Sequence, residues 1–110
     1  MGNDRYQILI VSASAAADEM RLRLAESGFT AVKNVTYPNV IENIRQSLPD
    51  LILLTQQPGM SSLLILSKIS RQFPMVPIVI VATDINAEVV QEHLDAGACD
   101  YIYYVSAEKE

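Results

Sequence analysis

The stretch PIVIVA at residues 77–82 decides the fold class of this 110-residue chain. All of its residues are apolar and most are β-branched, so it predicts a short strand at residues 78–82 that is buried on both faces. Apolar runs of the same kind occur at residues 8–11, 51–54 and 101–105, and a weaker one spans residues 30–35. Strands without polar alternation are typical of a parallel sheet that is covered by helices on both sides.

Segments with helical length and periodicity separate these runs and predict four helices. They cover about residues 15–27, 39–48, 62–73 and 87–96. In the fourth, Asn86 is a suitable N-cap, and the spacing of Val90 and Leu94 predicts that both side chains face inward. Right-handed crossovers between parallel strands then give a doubly wound α/β fold, with residues 1–110 as one domain.

The composition argues against several classes of function. Lys and Arg total 8 against 13 Asp and Glu, and this net charge of −5 disfavours contact with nucleic acid or an anionic membrane. One cysteine and one histidine are too few for a disulfide framework or a cysteine-based zinc cage. The start of the chain has no signal-peptide pattern, and the apolar runs are too short to cross a bilayer, so we expect a cytoplasmic protein.

Four segments carry a family resemblance: ILIVSAS at residues 8–14, PDLILLTQQPGM at 49–60, VPIVIVATD at 76–84 and GACDYIYY at 97–104. In this order and spacing they resemble the receiver domain of two-component response regulators over nearly the whole chain. The resemblance implies a flavodoxin-like parallel sheet of five strands in the order 2-1-3-4-5. It also implies a fifth helix, which the five residues after Val105 are too few to form, so we expect that helix to be missing or truncated. A flavodoxin-like domain of another family is the alternative.

The resemblance further implies a phosphorylation site at the carboxyl ends of the strands. That site uses an acidic pair for Mg²⁺, an aspartate that accepts phosphate, a threonine or serine, and a lysine. The matching positions here carry other residues: Ser12, Ala13, Thr55, Ala82 and Tyr104. A threonine hydroxyl is a poor acceptor without a base or a metal, so we expect a degenerate site with no metal and no cofactor. We interpret its small hydroxyl residues as filling the former pocket; the alternative is that they bind a small polar ligand.

The predicted interaction face combines an acidic side of the fourth helix with two tyrosines of the fifth strand: Glu88, Glu92, Asp95, Tyr101 and Tyr103. Its charge suits a basic protein partner, and the alternative is an ordinary solvated face. Tyr101 matches the aromatic residue that moves between buried and exposed positions in signalling receivers, although plain packing also explains it. His93 has no second ligand nearby, so we expect it on the surface and not in a metal site.

These observations predict a phosphorylation-independent pseudo-receiver that is not an enzyme and acts as a protein-interaction or regulatory module in signal transduction. The expected partners are proteins, including an output domain of a longer chain, and not nucleic acid or membranes. Without a fifth helix the last two strands leave apolar surface uncovered, so we expect a homodimer or pairing with another segment. One alternative is a small-ligand-binding flavodoxin-like domain with its ligand at the strand carboxyl ends, and another is an active receiver with an unusual phosphate acceptor.

Overall fold

Strands and helices alternate along the chain in the computed structural model, which describes residues 5–12, 16–56, 61–82 and 86–103. The strands are β1 (Ile8–Val11), β2 (Val32–Val35), β3 (Leu51–Thr55), β4 (Ile78–Ala82) and β5 (Asp100–Tyr103). The helices are α1 (Ala16–Glu26), α2 (Val40–Gln46), α3 (Ser62–Gln72) and α4 (Ala87–Asp95), and a short 3₁₀ helix, Tyr37–Asn39, precedes α2. All neighbouring strands are parallel, and their order is β2-β1-β3-β4-β5, which confirms the predicted fold class.

Local signals set most of the boundaries. Asn86 caps α4, because its side-chain oxygen accepts hydrogen bonds from the backbone N–H groups of Glu88 and Val89, as predicted. After α4 the chain turns at Gly97, whose φ is 122° and whose missing Cβ would lie 2.2 Å from Ser70 Oγ. Any other residue would be strained there by the positive φ and by the collision with Ser70, so this turn requires glycine. α2 begins at Val40, one residue after its predicted start, because Pro38 first directs the chain into the 3₁₀ turn.

The sheet buries apolar residues on both of its faces. The larger cluster packs under α2, α3 and α4, and the largest of its fully buried members are Val11, Val40, Ile44, Ile52, Leu54, Leu66, Ile69, Ile78 and Ile80. The smaller cluster packs under α1 and consists of Ile8, Ile10, Ala17, Met20 and Val81. Helices therefore cover both faces, and the carboxyl ends of the strands lie together at one edge of the sheet.

Three expectations about the α4–β5 side are wrong. Leu94 is 39% exposed, whereas His93, expected on the surface, is only 4% exposed. The helix turns so that His93, one turn after Val89, faces the sheet. In β5, Ile102 and Tyr103 are 42% and 54% exposed, so this strand is not buried on both faces as its apolar sequence predicted. A strand paired with one neighbour at the edge of a sheet has less cover than a central strand.

Candidate functional site: the strand carboxyl ends and the α4–β5 surface

The structure brings Ser12, Thr55 and Ala82 to the same edge of the sheet. Ser12 directly follows β1, while Thr55 and Ala82 are the last residues of β3 and β4, and these three strands are neighbours. Their relative exposures are 1%, 8% and 0%, respectively. The other two matching positions, Ala13 and Tyr104, lie outside the described residues. Positions that carry chemistry in the resembled site are thus buried, not open to solvent, wherever the structure describes them.

The Thr55 hydroxyl forms a hydrogen bond within the sheet. Its Oγ1 donates to the carbonyl oxygen of Val11, with the two oxygens 2.7 Å apart, and so joins β3 to β1. Because a peptide carbonyl is hardly basic, this contact holds the hydroxyl without making it a better nucleophile. Ser12 also takes part in the framework, since its backbone N–H donates to the carbonyl of Val35 across 2.9 Å.

Tyr37 completes this end of the sheet, and the sequence analysis missed it. The 3₁₀ turn places its phenol against β3, where the hydroxyl donates a hydrogen bond to the backbone carbonyl of Thr55. Tyr37 is 7% exposed, and desolvation by burial raises its pKa from 10.0 to about 12. The phenol is therefore a neutral donor near pH 7. The sequence signal that could have revealed this turn is a tyrosine followed by proline, two residues after the end of a strand. Proline at the start of a turn fixes the direction of the chain.

The donors at this edge do not fit a magnesium ion. Mg²⁺ prefers carboxylate oxygens in near-octahedral geometry, whereas Ser12 and Thr55 supply hydroxyls and Ala82 supplies no side-chain ligand. Within residues 5–12, 16–56, 61–82 and 86–103, the structure has no group of three or more His, Cys, Asp or Glu side chains that could hold a metal.

A second polar cluster lies under the α4–β5 surface. His93 Nε2 is 2.8 Å from Ser62 Oγ at the start of α3, and His93 Nδ1 is 2.8 Å from the carbonyl oxygen of Val89. The His93 ring meets the Tyr101 ring edge-on, with centroids 5.6 Å apart and an interplanar angle of 67°. Gln56, which follows β3, donates from Nε2 to the Tyr101 hydroxyl over 3.2 Å. The cluster therefore joins β5 to α3, to α4 and to the end of β3.

Above this cluster the surface is acidic. Glu88, Glu92 and Asp95 are exposed on α4, as the sequence predicted, and Asp95 accepts a hydrogen bond from Gln91 of the same helix. The three ion pairs found in the described ranges lie within α1 and α2, so none of them neutralises these α4 carboxylates. On β5, Tyr101 is half-buried and Tyr103 is exposed. The structure thus places the five predicted interaction residues on α4 and β5, two elements in contact, with exposed carboxylates on the helix and an exposed aromatic ring on the strand.

Comparisons with known proteins give one family by sequence profile and several solved structures of similar fold. The sequence profile described as the response regulator receiver domain matches residues 6–107. A CheY-like receiver domain protein from Methanospirillum hungatei JF-1 has a TM-score of 0.77 and 23% identity, over 94% of this chain and 85% of that one. CheY4 of Vibrio cholerae has a TM-score of 0.82 and 16% identity, over 94% and 90%. The phosphorylated cyanobacterial phytochrome response regulator RcpA has a TM-score of 0.75 and 21% identity, over 94% and 84%.

A search of curated proteins gives no match. The structural neighbours share so little sequence with this chain that they support its fold and not its chemistry. The long match to the profile assigns the family.

Proposed function

The chain belongs to the response regulator receiver domain family of two-component signalling, and we propose that it is a phosphorylation-independent member that works by binding other proteins. The single observation that carries this proposal is the state of Thr55. At the position where the family accepts phosphate, this chain has a buried hydroxyl that donates to the Val11 carbonyl. Receiver domains are generally not enzymes, and we extend this to the present chain, for which we propose no catalytic residue.

Phosphoryl transfer to Thr55 would meet three obstacles. Thr55 is only 8% exposed, so a phosphodonor has little access to its side chain. Its neighbours Val11 and Tyr37 contribute a carbonyl oxygen and a neutral phenol, and neither is a base that could remove the hydroxyl proton. The described matching positions also supply no carboxylate for a metal that would neutralise the incoming charge. RcpA is described as phosphorylated; for this chain we propose that signalling does not use that reaction.

Burial at the strand carboxyl ends also weighs against the alternative of a small ligand bound there. Ser12, Thr55 and Ala82 together expose very little surface to a ligand. The α4–β5 surface, in contrast, presents exposed carboxylates on α4 and the exposed Tyr103 on the neighbouring β5. We therefore place partner binding on Glu88, Glu92, Asp95, Tyr101 and Tyr103.

The proposed partner is a basic segment of another protein. An exposed acidic helix face attracts lysine and arginine side chains, and an adjacent tyrosine adds apolar contact and a site for a guanidinium to stack. An output domain in a longer chain is a second kind of partner that the family suggests. Within the described residues no helix is long and apolar enough to cross a membrane. We propose a cytoplasmic location because the family operates in two-component signalling.

One experiment tests the loss of phosphorylation directly. Uniformly ¹⁵N-labelled protein is titrated with Mg²⁺ and beryllofluoride, and separately with acetyl phosphate, while amide resonances are followed by NMR. We expect the resonances of Thr55 and its sheet neighbours to stay in place. A stoichiometric shift centred on Thr55 would show that the site accepts a phosphoryl group and would overturn the proposal.

A second experiment tests the surface. The probe is a lysine- and arginine-rich peptide, and a peptide of the same length with acidic residues is its matched control. We expect the basic peptide to bind weakly, to bind less at high salt, and to shift the resonances of α4 and β5. Replacing Glu88, Glu92 and Asp95 by their amides should abolish the binding. Glutamine and asparagine keep the size of these side chains and remove their negative charge.

A further inference from the structure

His93 lies inside the domain although its helix is otherwise acidic and exposed on its outer side. It is 4% exposed, and both ring nitrogens have a partner within 2.8 Å. The proposed docking function does not use this residue, and neither does the resembled phosphorylation site. A buried histidine with two specific partners on two helices needs an explanation of its own.

The contacts define which nitrogen carries the proton in the neutral ring. The carbonyl oxygen of Val89 can only accept, so Nδ1 of His93 must be the donor in that bond. Nε2 is then the acceptor, and the Ser62 hydroxyl donates to it. Both bonds are satisfied together in this ring orientation, so α3 and α4 are joined through one imidazole.

We propose that His93 is a positioning residue that holds Tyr101 in one arrangement and thereby fixes the shape of the α4–β5 surface. Its ring edge packs against Tyr101 from the α4 side, while Gln56 donates to the Tyr101 hydroxyl from the end of β3. An outward movement of Tyr101 would break the Gln56 contact and remove the aromatic cover from a buried, hydrogen-bonded imidazole. These two contacts favour the inward position of Tyr101 from both sides.

A fixed Tyr101 would also matter for partner binding, and this one consequence rests on the proposed function. The surface offered to a basic partner would be preformed and would not depend on the state of the strand carboxyl ends. The link runs through Ser62, so a change at the start of α3 would alter a surface built from α4 and β5.

The test compares two serine-to-alanine variants of the same helix. Ser62→Ala removes the partner of His93 Nε2, whereas Ser67→Ala removes a hydroxyl that bonds only to Leu63 of its own helix among the contacts seen. The protein is labelled with ring-¹³C tyrosine, and the Tyr101 resonance is assigned with Tyr101→Phe. Chemical denaturation of both variants checks that they are folded.

We expect one sharp Tyr101 resonance in the wild type and in Ser67→Ala, and a shifted or exchange-broadened one in Ser62→Ala. His93→Leu should have the same effect; if it does not fold, Ser62→Ala decides alone. In addition, imidazole ¹⁵N–¹H correlations of the wild type should show the neutral ring protonated at Nδ1. An unchanged Tyr101 resonance in folded Ser62→Ala, or a ring protonated at Nε2, would overturn the inference.

The basic peptide separates this inference from the proposed function. If the peptide binds the wild type, Ser62→Ala should weaken binding several-fold although it changes no surface charge, and unchanged binding would contradict a positioning role. If the peptide does not bind the wild type, the proposed function fails, while the Tyr101 resonance still decides whether His93 positions that ring.

Discussion

Replacing Thr55 by aspartate restores the residue type that the family uses as phosphate acceptor, and the structure predicts that this change alone restores no chemistry. The introduced carboxylate would face the Val11 carbonyl oxygen and lie beside Tyr37. The described matching positions would still hold Ser12 and Ala82, which provide neither a metal-binding carboxylate nor a phosphate contact of the family type. We therefore expect no phosphoryl transfer from acetyl phosphate to Thr55→Asp.

The same change should destabilise the fold, and its magnitude follows from two parts. Loss of the buried bond to Val11 costs about 1 kcal/mol. A carboxyl group that faces a carbonyl oxygen without a cation adds about 1–3 kcal/mol, whether it stays charged or takes up a proton. Sequence alone does not reveal the carbonyl contact on which this magnitude depends. The free energy of unfolding should therefore fall by about 2–4 kcal/mol in total.

Thr55→Val is the matched control, because it removes the hydroxyl but keeps the size and branching of the side chain. It should lower the free energy of unfolding by about 1 kcal/mol, which corresponds to about 4 °C in the melting temperature of a domain of this size. Urea denaturation of the three proteins at pH 7 measures both differences. If Thr55→Asp is as stable as Thr55→Val, the position is open to solvent and the reasoning from burial is wrong. Phosphorylation of Thr55→Asp would refute the loss of the site itself.

Three further predictions concern other parts of the molecule. Because burial raises the pKa of Tyr37 from 10.0 to about 12, its contribution to stability is complete below pH 10 and is lost as the pH rises towards 12. Between these pH values the urea midpoint should fall more steeply in the wild type than in Tyr37→Phe. Parallel plots of the midpoint against pH would contradict this. Ile102 is 42% exposed on the α1 side of β5. At high concentration, light scattering should give the mass of a dimer for the wild type and of a monomer for Ile102→Lys. A monomeric wild type would contradict the expected dimer interface. Gly97→Ala should destabilise the fold markedly, because its Cβ would collide with Ser70. The double variant Gly97→Ala/Ser70→Gly should recover only part of the lost stability, since the strain at positive φ remains. Full recovery would mean that the backbone is not strained.

Sequence reasoning worked where the deciding signal was local. β1 and β4 have the predicted bounds, because an apolar, β-branched run between helical segments has few other interpretations. The Asn86 cap was also predictable, since the asparagine and the N–H groups that it binds lie within three residues. The strand order followed from the resemblance, not from the pattern of apolar residues.

Sequence reasoning failed where the partner is distant in the chain. His93 is stabilised inside the domain by Ser62, which is 31 residues away, and no periodicity reveals that contact. Tyr37 reaches a carbonyl 18 residues away through a turn that only the structure shows. For the same reason the sequence could name the altered position Thr55 but could not tell that its hydroxyl joins β3 to β1.

The residues at the strand carboxyl ends form a consistent set. A carboxylate at the end of β3 is stable at a buried edge only when a cation or several donors face it. Here the group that faces the Thr55 side chain is the Val11 carbonyl, which needs a donor, and the Thr55 hydroxyl is one. The Tyr37 hydroxyl donates to the backbone carbonyl of Thr55 instead. The small residues Ser12 and Ala82 let this edge close against solvent. We therefore expect that introducing the aspartate alone works against the fold, and that phosphorylation would require the acidic pair, the acceptor and the lysine together.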